Sequence, residues 1–142
     1  MITTPTNTRS TVEAIYAAFG SGDIPAILDR LAEDVSWDAD WADNWAQTRA
    51  TLSHFRPRRG REAVGELFAI LGARYTFHEF TVVDVMSNDR RAVAMITIEF
   101  TAPDGTHIRD EELHLWTFDE RGLVSSMRHY IDTAKHSGST PG

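Results

Sequence analysis

The stretch His107–Asp132, with the sequence HIRDEELHLWTFDERGLVSSMRHYID, decides the fold of this chain. Its two parts, His107–Phe118 and Leu123–Asp132, are rich in β-branched and aromatic residues, which is typical of strands. The segment Asp119-Glu120-Arg121-Gly122 between them consists of turn-forming residues. Because consecutive strands joined by a short turn pair antiparallel, the stretch predicts an antiparallel strand pair.

The same pattern extends toward the N-terminus. Two further runs, Tyr75–Val85 and Arg91–Thr101, are separated by Ser87-Asn88-Asp89, and Pro103-Asp104-Gly105 leads into the strand that begins at His107. The four runs together predict an antiparallel meander. Residues before 75 instead repeat apolar side chains at helical spacing. Helices first and a meander afterwards is an α+β layout, with the helices packed on one face of the sheet.

Three helices are predicted in the first half of the chain. Ser10 and Glu13 have the form of a capping box at the start of the first helix, and Gly20 and Gly22 can end it. Asp23 is the predicted N-cap of the second helix. The third is expected to run from Arg61 to Leu71, where a glycine follows.

Length and composition describe one ordinary globular domain. The chain has 142 residues, which is enough for one sizeable core. We expect that domain to span residues 10–133, with flexible ends at 1–9 and 134–142. The net charge of −7 argues against a nucleic-acid partner, because phosphate binding needs a basic face. No apolar run approaches membrane-spanning length, so no membrane partner and a cytoplasmic location are predicted.

Apolar side chains occur on both faces of the central strands. In the run Arg91–Thr101, Val93 and Met95 alternate with Ala94 and Ile96. A sheet with one solvated face alternates apolar and polar residues instead. One face is therefore expected to meet the helices and the other a second subunit, which predicts a homodimer.

Four segments resemble the nuclear-transport-factor-2-like superfamily, which includes ketosteroid isomerases, limonene-1,2-epoxide hydrolases and SnoaL-like polyketide cyclases. They are Gly22–Trp37 (GDIPAILDRLAEDVSW), Gly60–Ala63, Trp116–Gly122 and Met127–Asp132. The resemblance covers residues 10–133. It implies a cone-shaped α+β barrel, in which three helices and a strongly bent, mainly antiparallel sheet enclose an apolar pocket for a small molecule.

Arg109 and Glu111 are the first candidate catalytic pair. Alternation places Arg109, Glu111 and Leu113 on one face of their strand, where the charged pair could meet inside the cone. Within the resemblance, Glu111 falls where ketosteroid isomerases place the carboxylic acid of their oxyanion hole. Arg109 and Glu111 also fall on the Arg-x-Asp pair of limonene-epoxide hydrolases. The alternative interpretation is a solvated strand end.

His129 is the second candidate. The resemblance places it where epoxide hydrolases carry an aspartate that activates water. A histidine there is a departure from the hydrolase pattern, yet it titrates near neutral pH and can act as acid or base. The alternative is a core histidine that is hydrogen-bonded to the backbone.

Asp38 and Asp40 are reserve candidates for the base. Ketosteroid isomerases keep their general-base aspartate in this region, and the ungapped match falls between the two, on Ala39. Tyr16 likewise lies one residue from the position of the isomerase oxyanion-hole tyrosine. These two displacements make steroid isomerisation itself a poor match.

The walls of the pocket are predicted from apolar side chains. Trp37, Trp41 and Trp45 are spaced four residues apart and would form one aromatic ridge on a helical turn. They could equally be core or dimer contacts. The remaining substrate-binding candidates are Tyr16, Leu113, Met127 and Ile131.

The sequence offers candidates for two other kinds of site, an anion site and a cofactor or metal site. The arginines at positions 56, 58, 59 and 61 could hold an anion, although a solvated loop is the more ordinary interpretation. The sequence has no Gly-rich phosphate loop, dinucleotide fingerprint or cysteine, and its histidines lack i, i+4 helical pairing. Neither a cofactor nor a metal is therefore predicted.

The functional prediction is a cofactor-independent acid–base enzyme that acts on a hydrophobic small molecule. Isomerase, cyclase, dehydratase and epoxide-opening hydrolase activities all fit it. The alternative is a non-catalytic small-molecule-binding or accessory protein of the same fold, and a third possibility is a purely structural dimerisation module.

Overall fold

A computed structural model of the chain describes residues 7–39, 56–132 and 135. Three helices and six strands lie in this part of the chain. The helices are α1 (Thr8–Ser21), α2 (Ile24–Leu28) and α3 (Arg61–Arg74). The strands are β1 (Leu31–Trp37), β2 (Arg58–Arg59), β3 (Thr76–Ser87), β4 (Arg91–Thr101), β5 (His107–Phe118) and β6 (Val124–Tyr130).

The helix boundaries follow local capping, with two differences from the sequence-based prediction. α1 begins earlier than the Ser10–Glu13 box, because the side chain of Asn7 caps it by accepting a hydrogen bond from the Ser10 amide. Of the two predicted glycines, Gly22 ends α1 in the left-handed conformation (φ 74°), whereas Gly20 lies within the helix. Asp23 caps α2, as predicted, by accepting from the Ala26 amide. α3 continues past the predicted end to residue 74.

The six strands form one mixed sheet in the order β2-β1-β6-β5-β4-β3. The four predicted strands pair antiparallel along the chain, which confirms the meander. β1 and β2 were not predicted as strands. β1 pairs parallel with β6, and its burial does not alternate, because Leu31 and Ala32 are both buried and Glu33 and Asp34 are both exposed. A strand of this kind carries no period-2 signal.

The core lies between the helices and the concave face of the sheet. It includes Val12 and Ile15 from α1, Val64 from α3, and Ile96 and Trp116 from the sheet, all at 2% exposure or less. The α+β prediction is therefore confirmed, with three helices on a curved, mostly antiparallel sheet. Among the helices described here, none is long and apolar enough to cross a membrane.

The opposite, convex face of the sheet carries exposed apolar side chains. Met95, Leu113 and Tyr130 are 37%, 40% and 42% exposed. Met95 pairs with Leu113 across β4 and β5, and Leu113 pairs with Tyr130 across β5 and β6. The three side chains therefore form one row across three neighbouring strands, which we call the outer row.

Candidate active site

Asp38 and His129 form a hydrogen-bonded pair although 91 residues separate them in sequence. The Asp38 carboxylate accepts from the backbone N–H of His129 at 2.8 Å through Oδ1 and contacts His129 Nδ1 at 2.5 Å through Oδ2. The Asp38 side chain is fully buried, and that of His129 is 14% exposed. A carboxylate that bonds both the backbone and the ring of one histidine holds the imidazole in a single orientation.

The end of β1 places Asp38 beside β6. Trp37 pairs with Met127 in the parallel ladder, and the Asp38 amide then donates to the Met127 carbonyl at 2.9 Å. At Asp38 the backbone adopts φ 52°, a left-handed conformation that Asp and Asn tolerate better than most residues. This turn ends the strand and carries the carboxylate to His129.

The Asp38 carboxylate favours the protonated form of His129. Burial alone lowers the pKa of His129, but the charge of Asp38, its hydrogen bond and the charge of Glu112 outweigh that effect. The net result is a pKa of His129 above its ordinary value. His129 is therefore suited to donate a proton near neutral pH.

A second hydrogen-bonded chain links α1 to β5. The Tyr16 hydroxyl contacts His114 Nδ1 at 2.6 Å, and His114 Nε2 contacts Glu112 Oε1 at 2.9 Å. Trp116 Nε1–H donates to the Tyr16 hydroxyl at 3.1 Å. Glu112, His114 and Trp116 alternate along β5, so all three point to the same concave face.

The surroundings of these hydrogen-bonded side chains favour the neutral forms of Tyr16 and His114. Burial lowers the pKa of His114, and the neighbouring His129 lowers it further, while Glu112 partly offsets both effects. Burial and the charge of Glu112 raise the pKa of the Tyr16 hydroxyl despite the hydrogen bond from Trp116. Tyr16 therefore remains a phenol and His114 a neutral imidazole.

Two histidines with opposite pKa shifts lie side by side at the site. The rings of His114 and His129 are 4.6 Å apart and meet edge to face, because the two residues pair across β5 and β6. One is driven toward the neutral form and the other toward the cation. Neighbouring groups whose environments separate their pKa values are the usual arrangement of an acid and a base at an active site.

Tyr16, Glu112, His114 and His129 line a cavity of about 80 Å³. Its wall is otherwise largely aromatic, from both the helices and the sheet. Among the described residues, the aromatic lining consists of Tyr16, Phe19, Trp37, Phe68, Tyr75, Phe77, Phe80, Phe100 and Trp116, and the polar lining of Glu112, His114 and His129. A few convergent polar groups in an apolar cavity are typical of a small-molecule site.

The predicted inward face of β5 is wrong by one residue. Arg109 and Glu111 are exposed on the convex face, and so is Leu113, whereas Asp110 and Glu112 are buried. Trp116 and Phe118 are the largest apolar residues of β5, and burying them fixes which set of alternating residues points inward. The residues that sequence reasoning missed, Glu112 and His114, share that alternation with Trp116.

The other predicted site residues have mixed outcomes. Tyr16, Trp37, Met127 and His129 line the cavity, and Asp38 supports His129 from behind. Ile131 follows β6 and is absent from the cavity lining in the described part of the chain. Asp40, Trp41 and Trp45 lie outside the described residues.

The arginine cluster is partly structural. Arg61 Nε donates to the Leu31 carbonyl at 2.7 Å, which ties the start of α3 to β1. Arg58 donates to the Arg56 carbonyl at 2.9 Å. Burial and the neighbouring Arg56 lower the pKa of Arg58. None of these contacts indicates an anion site.

Glu112, His114 and His129 also have the side-chain types of a metal site. Their ligand atoms lie within 4.8 Å of one another. However, both ring nitrogens of His114 already make hydrogen bonds, and a metal on Nε2 would displace the proton shared with Glu112. We therefore interpret the group as a hydrogen-bonded chain.

Solved structures with the same fold include proteins of several kinds. An NTF2-like protein from Burkholderia xenovorans LB400 is 19% identical, with a TM-score of 0.73 and 92% of each chain covered. The protein Bal32a, from a soil-derived mobile gene cassette, is 24% identical, with a TM-score of 0.70, and the match covers 90% of this chain and 92% of that one. An LEH-like epoxide hydrolase from M. tuberculosis is 16% identical, with a TM-score of 0.66 and coverage of 91% and 85%.

At these identities the structural matches establish the fold and leave the chemistry to the site itself. No curated protein matches the chain. The SnoaL-like domain family, in contrast, matches residues 12–127, from α1 into β6. The matched range includes Asp38 and the hydrogen-bonded residues Tyr16, Glu112, His114 and Trp116, and it ends two residues before His129. This chain therefore belongs to the SnoaL-like domain family.

Proposed function

We propose that this protein catalyses proton transfer on a hydrophobic small molecule bound in the cavity, using its own side chains as acid and base. Isomerisation, cyclisation, dehydration and epoxide opening are the reaction classes that such a site can perform. The observation that carries the proposal is the Asp38–His129 pair at the wall of an aromatic cavity.

The contact with Asp38 gives the two ring nitrogens of His129 different roles. Nδ1 faces the carboxylate, so proton exchange with a bound molecule goes through Nε2. The protonated ring delivers a proton from Nε2, and the neutral ring accepts one there. Positioned acid–base groups of this kind contribute about 10²–10⁴-fold to a reaction rate.

The aromatic wall supports a hydrophobic substrate. Binding there excludes water and strengthens the electrostatic interactions of His129 with the substrate. A non-catalytic binding protein would need the same wall. It would not need a buried Asp–His pair, whose charges cost free energy to remove from water.

Two model reactions test the proposal by NMR. One is deuterium exchange at the α-carbon of 2-hydroxycyclohexanone in D₂O, and the other is hydration of 2,3-epoxycyclohexan-1-ol. The wild-type protein is expected to accelerate at least one of them, and His129→Gln to lower that rate by about 10²–10⁴-fold.

His107→Gln is the matched control, because His107 is 52% exposed and bonds Glu99 at the surface. It should keep the wild-type rate. Equal rates for His129→Gln and wild type would refute the assignment of His129. Binding of both compounds without acceleration of either would instead support the non-catalytic alternative.

We also propose that the outer row, Met95, Leu113 and Tyr130, is covered by a second copy of the chain. The row is apolar and more than a third exposed, although it lies in the middle of the sheet. Exposed apolar patches of this kind favour self-association through a two-fold axis.

A further inference from the structure

We infer that the molecule bound by this protein carries a hydroxyl group, and that Tyr16 recognises it by accepting its hydrogen. The inference rests on the proposed function and specifies the substrate class of the same cavity. It follows from counting the hydrogens in the chain Trp116–Tyr16–His114–Glu112.

The hydroxyl of Tyr16 has one hydrogen and two lone pairs. Trp116 Nε1 can only donate, so its contact at 3.1 Å uses one lone pair. Among the described residues, the other hydrogen-bond contact of this hydroxyl is His114 Nδ1 at 2.6 Å. Whether Tyr16 donates or accepts in that contact depends on which nitrogen of His114 carries the hydrogen.

Glu112 settles the tautomer of His114. Its negative charge raises the pKa of both histidines, so Glu112 is a carboxylate, and the 2.9 Å contact then places the hydrogen on His114 Nε2. Nδ1 of a neutral ring is then an acceptor, and Tyr16 must donate to it. Burial and the positive neighbour His129 both disfavour the doubly protonated ring.

Within the part of the chain that the structure describes, one lone pair of Tyr16 is left for a bound molecule. Tyr16 lines the cavity, and its hydrogen is held by His114, so it presents an acceptor to the ligand. An oxyanion-hole tyrosine would present a donor. The group that faces Tyr16 must therefore bring its own hydrogen, as an alcohol, phenol or enol does and a ketone or ether does not.

His129 complements this requirement. Its ring lies 4.6 Å from that of His114, and its protonated form is favoured, so it can donate. A molecule with a hydroxyl group can donate to Tyr16 and accept from His129. A carbonyl oxygen can satisfy only His129, and it would leave two acceptors facing each other at Tyr16.

Cyclohexanol, cyclohexanone and cyclohexyl methyl ether test the inference, since the first two are nearly isosteric. Their dissociation constants are measured by calorimetry at pH 7.5. Wild-type protein is expected to bind the alcohol at least tenfold more tightly than the ketone or the ether. Tyr16→Phe should reduce the alcohol-to-ketone preference below threefold. Tyr130→Phe removes the same group from the outer row and should keep the full preference.

Each outcome of the experiment is informative. Equal affinities for alcohol and ketone in the wild type would refute the inference but leave the proposed proton transfer standing. A preference for the ketone would also refute it, because Tyr16 would then be a donor. Binding of none of the three compounds would refute the small-molecule site on which both proposals rest. If Tyr16→Phe does not fold, the wild-type comparison of alcohol with ether decides the question.

Discussion

Replacing Asp38 by asparagine isolates the contribution of one buried charge. Asparagine has nearly the same shape, and it tolerates the left-handed conformation at φ 52°. Its carbonyl oxygen can still accept from the backbone N–H of His129, which Asp38 contacts at 2.8 Å. The substitution therefore removes mainly the charged contact with Nδ1.

The expected loss of stability depends on pH. Hydrogen bonds to charged groups contribute about 1.5–3 kcal/mol, and neutral ones about 0.5–1.5 kcal/mol. Because the pKa of His129 is raised in the folded state, the stabilisation is fully present below the unfolded value of about 6.5. It is lost as the pH rises through the folded pKa. We expect Asp38→Asn to cost about 2–3 kcal/mol at pH 6 and about 1 kcal/mol at pH 9.

Urea unfolding at both pH values measures this difference. Trp37 and Trp116 are 3% and 2% exposed, so their fluorescence reports unfolding. Asp34→Asn is the matched control, because Asp34 is exposed on the same strand and its replacement should change stability by less than about 0.5 kcal/mol. NMR titration of His129 should show a lower pKa in Asp38→Asn than in the wild type.

A loss that is equal at pH 6 and pH 9 would refute the reasoning, because it would mean that the Asp38 charge does not act through His129 protonation. The same conclusion would follow if the pKa of His129 were unchanged by the substitution. If Asp38→Asn were no less stable than Asp34→Asn at pH 6, the buried contact itself would be in doubt.

Two further predictions concern the surface and the backbone. Leu113→Glu places a charge in the outer row and should convert a dimer to a monomer in analytical ultracentrifugation. Ala17→Glu is the control, because Ala17 is exposed on α1, and it should leave the dimer intact. A monomeric wild-type protein would rule the dimer out. Gly20→Ala should stabilise the chain by about 0.5 kcal/mol, because Gly20 is helical and nothing lies within 4 Å of an added Cβ. Gly22→Ala should instead destabilise it by about 1 kcal/mol, because Gly22 holds φ 74°; thermal denaturation of the two variants checks the opposite signs.

Much of the fold follows from local patterns. The turn residues and β-rich runs determined four strands and their antiparallel order, and Gly22 and Asp23 determined the boundary between α1 and α2. These signals are local, because caps and turns depend on backbone conformations that particular residues favour. β1 could not be predicted from local patterns, because the burial of its residues does not alternate and its partner strand β6 is remote in sequence.

The residues of the candidate site could be predicted in part from the sequence, but their contacts could not. His129, Asp38, Tyr16 and Trp37 were candidates from sequence, although nothing in it indicated that Asp38 bonds His129 across 91 residues or that Tyr16 meets His114 across 98. Such contacts exist only once the sheet is closed on the helices.

What the sequence by itself determined was the two alternating sets of β5: one with Arg109, Glu111 and Leu113, the other with Glu112 and His114. Only the tertiary structure decided which set points inward. Burial of Trp116 and Phe118 against the helices stabilises one choice, and a shift by one residue would expose both. Burial of these apolar residues therefore places Glu112 and His114 on the cavity face of β5, where they form the hydrogen-bonded chain with Tyr16 and Trp116.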